Sequence, residues 1–329
     1  MDLNELDEYL WRVIEAMKSG VEDAFRELAR VVSLLLPDLR KGTLSKADED
    51  RLVKNILGSM LLAAARLTAR PPSVLRWMEH RISQERRQWT KWIGDDRERG
   101  ADLQKRLMQP DHLCAHGAEA AFAMRAFDVI SGDFCALLPG PHDLLIAMGD
   151  VMGKGTAAGI LGSLVLGQIR VLAERIRTPA TLLTQLNRRL TEAGLTPEYA
   201  TLVVARWDPA ARRIRVANAG NVAPRIFRGR TLKKPGEPGL PLGLSKDARY
   251  LSSSSPAKAG DVLLLFSDGI TEQAGIDAAG YELRLQEVLR SCHHHSPRAI
   301  LEAIWKDFDT FVGANRLTDD QTLVVLKIE

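Results

Sequence analysis

Near residue 110 the spacing of apolar residues along this chain changes period, and that change limits what it can fold into. Upstream, Leu3, Leu6, Leu10, Val13 and Met17 recur at three- and four-residue intervals, the stripe of an amphipathic helix, with Gly20 as a stop. Val21, Phe25, Leu28, Val32 and Leu35 repeat the pattern up to Pro37, which a helix interior rejects. Ser45 followed by Asp48 resembles a capping box opening a third helix, with Leu52, Ile56, Met60, Ala63 and Leu67 on its inner face. Pro71-Pro72 ends it. Such stripes predict packing among themselves, and nothing in them looks catalytic. Residues 73–107 lack proline and are dense in charge, which predicts a long solvated helix. A two-chain coiled coil is the alternative, since Ile82, Trp89 and Leu103 share one heptad position; Asp96 at that position, with Gly94 and Gly100, opposes it.

Downstream of residue 110 the period becomes two. Strand-like runs fall at Asp133–Leu138, Asp143–Asp150, Tyr199–Trp207, Arg213–Asn218, Arg225–Phe227, Asp261–Ser267 and Thr322–Ile328. Between them, Gly155–Ile176 is apolar on most faces, as a helix buried against a sheet would be. Thr178-Pro179 and Ser296-Pro297 each open a further helix with an N-cap and a first-turn proline. Hairpin spacing with helices grouped between strands predicts an α+β fold of antiparallel sheets covered by helices, not a parallel doubly wound sheet.

Composition narrows the function. The 45 Lys and Arg nearly balance the 42 Asp and Glu, so no nucleic-acid footprint is demanded. Ile56–Leu67, taken as the most apolar stretch, is shorter than the roughly 20 residues that span a bilayer. The acidic start has the wrong sign for a signal peptide. Cys114, Cys135 and Cys292 show no metal-ligand spacing and read as reduced thiols. The expectation is a cytoplasmic protein with neither a nucleic-acid nor a membrane partner.

The chemistry is expected where aspartates meet strand ends. If the loop around Pro139-Gly-Pro-His142 comprises Gly140–Asp143, paired residues have numbers summing to 283, and Asp133 faces Asp150. Two carboxylates so placed repel unless a cation lies between them. Asp268 ends the apolar run Val262–Ser267, and Asp319-Asp320 precede the last strand. Each alone is compatible with turn chemistry; together they suggest a hard-cation site of oxygen ligands for Mg²⁺ or Mn²⁺. A backbone carbonyl such as that of Val151 is placed to join them. Gly149–Thr156 is no P-loop: three residues, not four, separate its first glycine from Gly153-Lys154, and Gly155 follows. His293, His294 and His295 are consecutive and cannot all face one ion from regular structure.

Ser131-Gly-Asp133-Phe, Gly149-Asp-Val-Met-Gly-Lys-Gly155, Asn218-Ala-Gly220, Gly239-Leu-Pro-Leu-Gly243, Phe266-Ser-Asp-Gly-Ile-Thr-Glu272 and Asp319-Asp-Gln-Thr322 occur in that order. Their order and spacing resemble the SpoIIE/RsbU branch of the metal-dependent PPM serine/threonine phosphatases, over residues 108–329. The resemblance implies an αββα sandwich, two antiparallel sheets flanked by helices. It implies that Asp133, Asp150, Asp268 and Asp319 are catalytic as ligands of two Mn²⁺ or Mg²⁺ ions that activate water. The Val151 carbonyl joins them, and Asp320 assists through water or from behind the ligands. It implies a phosphoserine or phosphothreonine substrate on a STAS-type anti-sigma-factor antagonist. The RsbU-like plan divides the chain into a helical regulatory and dimerisation domain (1–78), a charged helical linker (79–107) and the phosphatase domain (108–329). It further implies a homodimer whose residues 1–107 receive a kinase-like switch protein in stress signalling. Asn221 stands where the family commonly has histidine, so that histidine's role does not carry over.

Two other classes fit the same residues: a non-catalytic module of this fold that binds phosphoproteins, and a metal phosphohydrolase acting on small molecules. Lys154 and Arg125 are candidates for phosphate contact, with plain surface charge as the alternative.

Overall fold

The computed structural model describes residues 2–36, 46–67, 69–195, 198–229, 231–275 and 280–329. The chain divides into two compact units, Met1–Asp96 and Arg97–Glu329.

The first unit contains α1 (Leu3–Lys18), α2 (Glu22–Leu34), α3 (Lys46–Ala64) and the start of α4 (Val74–Met108). The expected stripes become one core: Leu10, Ile14, Met17, Leu28, Val32, Leu52, Ile56, Met60, Met78 and Ile82 are buried together. Leu3 is exposed in the first turn, and Ala64 rather than Ala63 closes the α3 face. The expected Ser45 cap and the Pro37 stop lie outside the described residues. A capping box exists at α1, where the Asp2 side chain accepts from the Asn4 and Glu5 amides and Glu5 accepts from the Asp2 amide. Asp7 accepts from the Val74 and Leu75 amides at 3.0 Å each, tying α1 to the first turn of α4. Each such cap contributes about 1 kcal/mol. The helix expected over 73–107 is continuous despite Gly94 and Gly100; Ile82 and Trp89 pack on the helical core, while Trp92 and Leu103 are exposed.

The second unit follows in the order β1 (His112–Ala115), β2 (Ala118–Arg125), β3 (Phe134–Pro139), β4 (Leu144–Val151), α5 (Thr156–Ala173), α6 (Pro179–Glu192), β5 (Ala200–Asp208), β6 (Arg213–Ala219) and β7 (Arg225–Arg228). It continues with β8 (Thr231–Lys233), β9 (Pro238–Gly239), β10 (Ser252–Pro256), β11 (Val262–Phe266), α7 (Asp268–Thr271), α8 (Glu282–Cys292), α9 (Pro297–Val312) and β12 (Gln321–Ile328). Among the described residues the strands form two sheets. One has the order β1-β2-β12-β11-β7-β8; the other has β10-β6-β5-β4-β3, with β9 beside β6. Neighbours are antiparallel except β6 and β9.

Alternation along each strand sorts side chains into layers. Leu137, Ile146, Met148, Val203, Leu263, Leu265, Val324 and Leu326 fill the space between the sheets. Phe134, Ala136, Ala147, Leu202 and Val204 face α5 and α6 on one outer side. Leu264, Phe266, Leu323 and Val325 face α8 and α9 on the other. The result is the expected αββα sandwich. One described helix, α5, is long and apolar enough to cross a membrane, a longer apolar span than Ile56–Leu67. Its Leu161, Val165, Leu166, Ile169 and Leu172 are spent on the core instead.

The β3–β4 hairpin has the expected register, from Pro139 opposite Leu144 to Phe134 opposite Gly149. The Gly140 amide donates to the Asp143 carbonyl at 2.8 Å and closes the loop. Beside it, buried Arg206 donates to Asp143 Oδ2 at 2.7 Å and to the Ile176 carbonyl at 3.0 Å. That arginine clamps the loop end of the hairpin, leaving the other end to carry the acids.

Candidate active site

Four chain segments deliver carboxylates to one end of the sandwich. Asp133 precedes β3, and Asp150 lies near the end of β4, where it pairs with Thr201 of β5. Asp268 starts α7 directly after β11, and Asp319 and Asp320 precede β12. The first two belong to one sheet and the others to its partner. The last residues of β11 and the first of β12 are joined by Ser267, whose amide donates to the Thr322 carbonyl and whose Oγ accepts from the Thr322 amide.

Electrostatics show that these groups share a site. Asp133 is buried, and burial followed by the Asp150 charge pushes its carboxyl well above the usual range; Asp320 and Asp268 add to this. The Thr322 hydroxyl, donating to Asp133 Oδ2, acts in the opposite direction. Asp150 is pushed up to about 7, by burial first and then by Asp268, Asp319 and Asp320. Asp268 is raised by burial and by Asp319. Folding has therefore gathered like charges at the cost of their ionisation, an arrangement that favours a cation.

The donor set fits a hard divalent ion. It consists of carboxylate oxygens and a carbonyl, with no nitrogen or sulfur ligand. Gly132 marks where two of these oxygens meet: a Cβ there would lie 3.0 Å from Asp150 Oδ1 and 3.1 Å from the Val151 carbonyl. Gly269, just after β11, permits a still closer approach, since a Cβ there would lie 2.0 Å from the Asp320 carbonyl.

Asp320 is engaged with the backbone. Its Oδ1 accepts from the Phe127 amide and its Oδ2 from the Gly132 amide, both at 2.7 Å, so it pins the loop that carries Asp133. Lys154 donates to the Thr318 carbonyl at 2.6 Å and sits 3.0 Å from Asp319 Oδ1. Arg125 pairs with Asp309 and lies over the Trp305 ring, which leaves it engaged outside the acidic centre. Asn221 donates from Nδ2 to Thr201 Oγ1 at 2.9 Å, and that hydroxyl donates to the Asp150 carbonyl. His293, His294 and His295 lie at the end of α8, away from these acids in sequence and element.

Two supporting residues were missed from sequence. Buried Gln104, near the end of α4, donates to the Ser131 carbonyl at 2.7 Å and accepts from the Ser131 amide at 3.2 Å. Gln273 accepts from the Thr318 amide and hydroxyl at 3.1 and 3.2 Å, fixing the turn before Asp319. Gln104 follows no apolar period and carried no signal. Gln273, directly after Glu272, could have been flagged by its neighbourhood.

Comparisons with known proteins agree with this architecture. The chain is 26% identical over 202 residues to the phosphoserine phosphatase RsbU of Bacillus subtilis (strain 168), covering 60% of this chain and 59% of RsbU. The chain thus spans less than two-thirds of the length of the curated relatives it matches. Among solved structures, the SiaA-PP2C domain of Pseudomonas aeruginosa superposes with a TM-score of 0.65 at 21% identity, covering 73% of this chain and 98% of that one. RsbX in complex with magnesium gives 0.52 at 14% identity, covering 66% and 98%. These structural likenesses establish the PP2C-type fold. The family description for SpoIIE, stage II sporulation protein E, matches residues 140–329, more than half of the chain. The chain belongs to the SpoIIE family.

Proposed function

We propose that the chain is a Mg²⁺- or Mn²⁺-dependent protein serine/threonine phosphatase acting on a phosphoserine or phosphothreonine of a STAS-type anti-sigma-factor antagonist. The observation that carries this reading is the convergence of Asp133, Asp150, Asp268 and Asp319 on one end of the sandwich, where burial and the neighbouring acids raise the carboxyls of Asp133, Asp150 and Asp268. These four, with the Val151 carbonyl, would hold two divalent cations. Bound there, the ions supply an activated water for in-line attack on phosphorus and offset charge on the phosphoryl oxygens. The chain's own residues do the positioning. Thr322 orients Asp133, Asp320 and Gln104 hold the Ser131–Asp133 loop, and Gln273 holds the turn before Asp319. Cys135 is buried in β3 and its thiol is pushed far up by burial, which removes it as a nucleophile.

The substrate and partner assignments are supported by the likeness to RsbU and to other phosphatases of this fold. On this reading residues 1–107 receive a regulatory partner, a kinase-like switch protein, and the chain works as a homodimer.

The test uses the full chain with Mn²⁺ or Mg²⁺ against chelator, on a phosphoserine STAS-type protein and on a generic aryl phosphate, for wild type and Asp268→Asn. Metal-dependent release of phosphate from the phosphoprotein, falling about a hundredfold or more in the variant, is expected. Unchanged hydrolysis by Asp268→Asn overturns the site. Turnover of the aryl phosphate alone transfers the reading to small molecules, and phosphoprotein binding without turnover makes the chain a binding module.

A further inference from the structure

A second set of metal-ligating groups sits on the β1–β2 hairpin, at the edge of the sheet opposite β8 and in elements that carry none of the aspartates above. The hairpin turn is His116-Gly117, with φ of +56° and +66°, so both central residues are left-handed as a two-residue turn of this hand requires. Three interactions make the hairpin stiff. His116 Nε2 lies 2.8 Å from the Gly140 carbonyl, Trp207 Nε1 donates to the His116 carbonyl at 2.9 Å, and the Phe122 amide donates to the Asp111 carbonyl at 2.9 Å.

The register places Cys114 directly opposite Glu119, and His112 is two residues along β1 on the same face. Leu113 and Ala120, on the other face, pack into the core between the sheets and fix which side chains point outward. The result is one nitrogen, one sulfur and one oxygen donor, all lying within 4.8 Å of one another. A tetrahedral ion with bonds of about 2.0–2.3 Å needs ligand atoms about 3.3–3.8 Å apart. Binding an ion would draw the widest of these separations in by up to about 1.5 Å and open the contact between His112 Nε2 and Glu119 Oε1, now 2.8 Å. Burial pushes the Cys114 thiol up, and the charges of Glu119 and Glu329 add to this.

We propose that His112, Cys114 and Glu119 form a surface site for a borderline-soft divalent ion of the zinc type, with water as the fourth ligand. The donor set separates it from the all-oxygen aspartate centre: imidazole and thiolate select Zn²⁺, Co²⁺ or Ni²⁺ over Mg²⁺ and Mn²⁺. Cys114 binds as thiolate, so each ion taken up releases one proton from sulfur to solvent, with no change of oxidation state. The ion staples the edge strand β1 to β2 immediately after the end of α4.

Co²⁺ titration of the full chain tests this, because a cysteine ligand gives a thiolate-to-cobalt charge-transfer absorption in the near ultraviolet that carboxylate ligands cannot give. The band is expected in wild type, abolished by Cys114→Ser, reversed by Zn²⁺, and shifted about tenfold or more to higher Co²⁺ by His112→Ala. Cys135 and Cys292 are buried and remain in every variant. Mn²⁺ binding is expected to be unchanged in Cys114→Ser, and far-ultraviolet circular dichroism checks its fold. Absence of the band, its survival in Cys114→Ser, or indifference to His112→Ala overturns the site.

Discussion

Replacing Gly132 by alanine isolates the geometry of the proposed ion ligands from the rest of the fold. The added Cβ would lie 3.0 Å from Asp150 Oδ1 and 3.1 Å from the Val151 carbonyl, where ordinary contact begins at 3.4 Å. Each oxygen must therefore retreat by about 0.3–0.4 Å, more than the roughly 0.2 Å that metal–ligand distances tolerate. Gly132 is not left-handed, so alanine brings no backbone strain. The Gly132 amide can keep its bond to Asp320. The expected loss of Mn²⁺ affinity is about tenfold to a hundredfold, the range seen when metal-site support is removed. The expected loss of metal-free stability is at most about 1–3 kcal/mol, as for modest overpacking. Gly162→Ala is the control, because its Cβ would crowd Phe134 Cδ1 at 3.2 Å without reaching a carboxylate. Calorimetric Mn²⁺ titration of both variants, with melting curves in chelator, separates the effects. If Gly132→Ala folds normally and binds Mn²⁺ as tightly as wild type, Asp150 and Val151 are not ligands.

Three further outcomes are expected. Asp133 and Asp150 have raised folded-state carboxyls, so the unfolded chain binds fewer protons and metal-free stability falls as pH rises. For Asp150 this stability is complete below about pH 4 and lost through about 7, so the gap in Tm between Mn²⁺-loaded and chelated protein should widen from pH 5 to 8; parallel curves would refute it. Lys154→Met removes a half-exposed cation from Asp319 and should tighten Mn²⁺ binding about two- to fivefold, the most that a pair of this exposure is worth; weaker binding would make Lys154 a helper of the site. Gln104→Leu deletes both side-chain bonds to the buried Ser131 backbone and should cost about 1–3 kcal/mol in melting experiments, with weaker Mn²⁺ binding; an unchanged melting temperature would contradict the role given to Gln104.

What was legible in the sequence was local. Seven strands were found because they are apolar and bounded by turn residues, and the register of the β3–β4 hairpin followed from its loop length. Strands β2 and β10 escape the sequence pattern for physical reasons. In β2, Ala118-Glu-Ala-Ala-Phe-Ala-Met-Arg125 has small residues where bulky ones would mark the inward face. Strand β10 is Ser252–Pro256, which reads as a turn and is a strand only because β6 supplies its partners. The acids themselves were visible as motifs. The work of Asp320, Gln104 and Gln273 was not, since each acts through a backbone group far away in sequence.

The acids come in two halves, one from each layer: Asp133 just before β3 and Asp150 in β4, Asp268 just after β11 and Asp319 just before β12. Cations seated between them would rivet the sandwich across its seam. Sliding one layer past the other by a single strand residue, about 3.3 Å, would pull the halves apart and abolish chemistry with every side chain still present. On the proposed reading, turnover would gauge the alignment of the two layers.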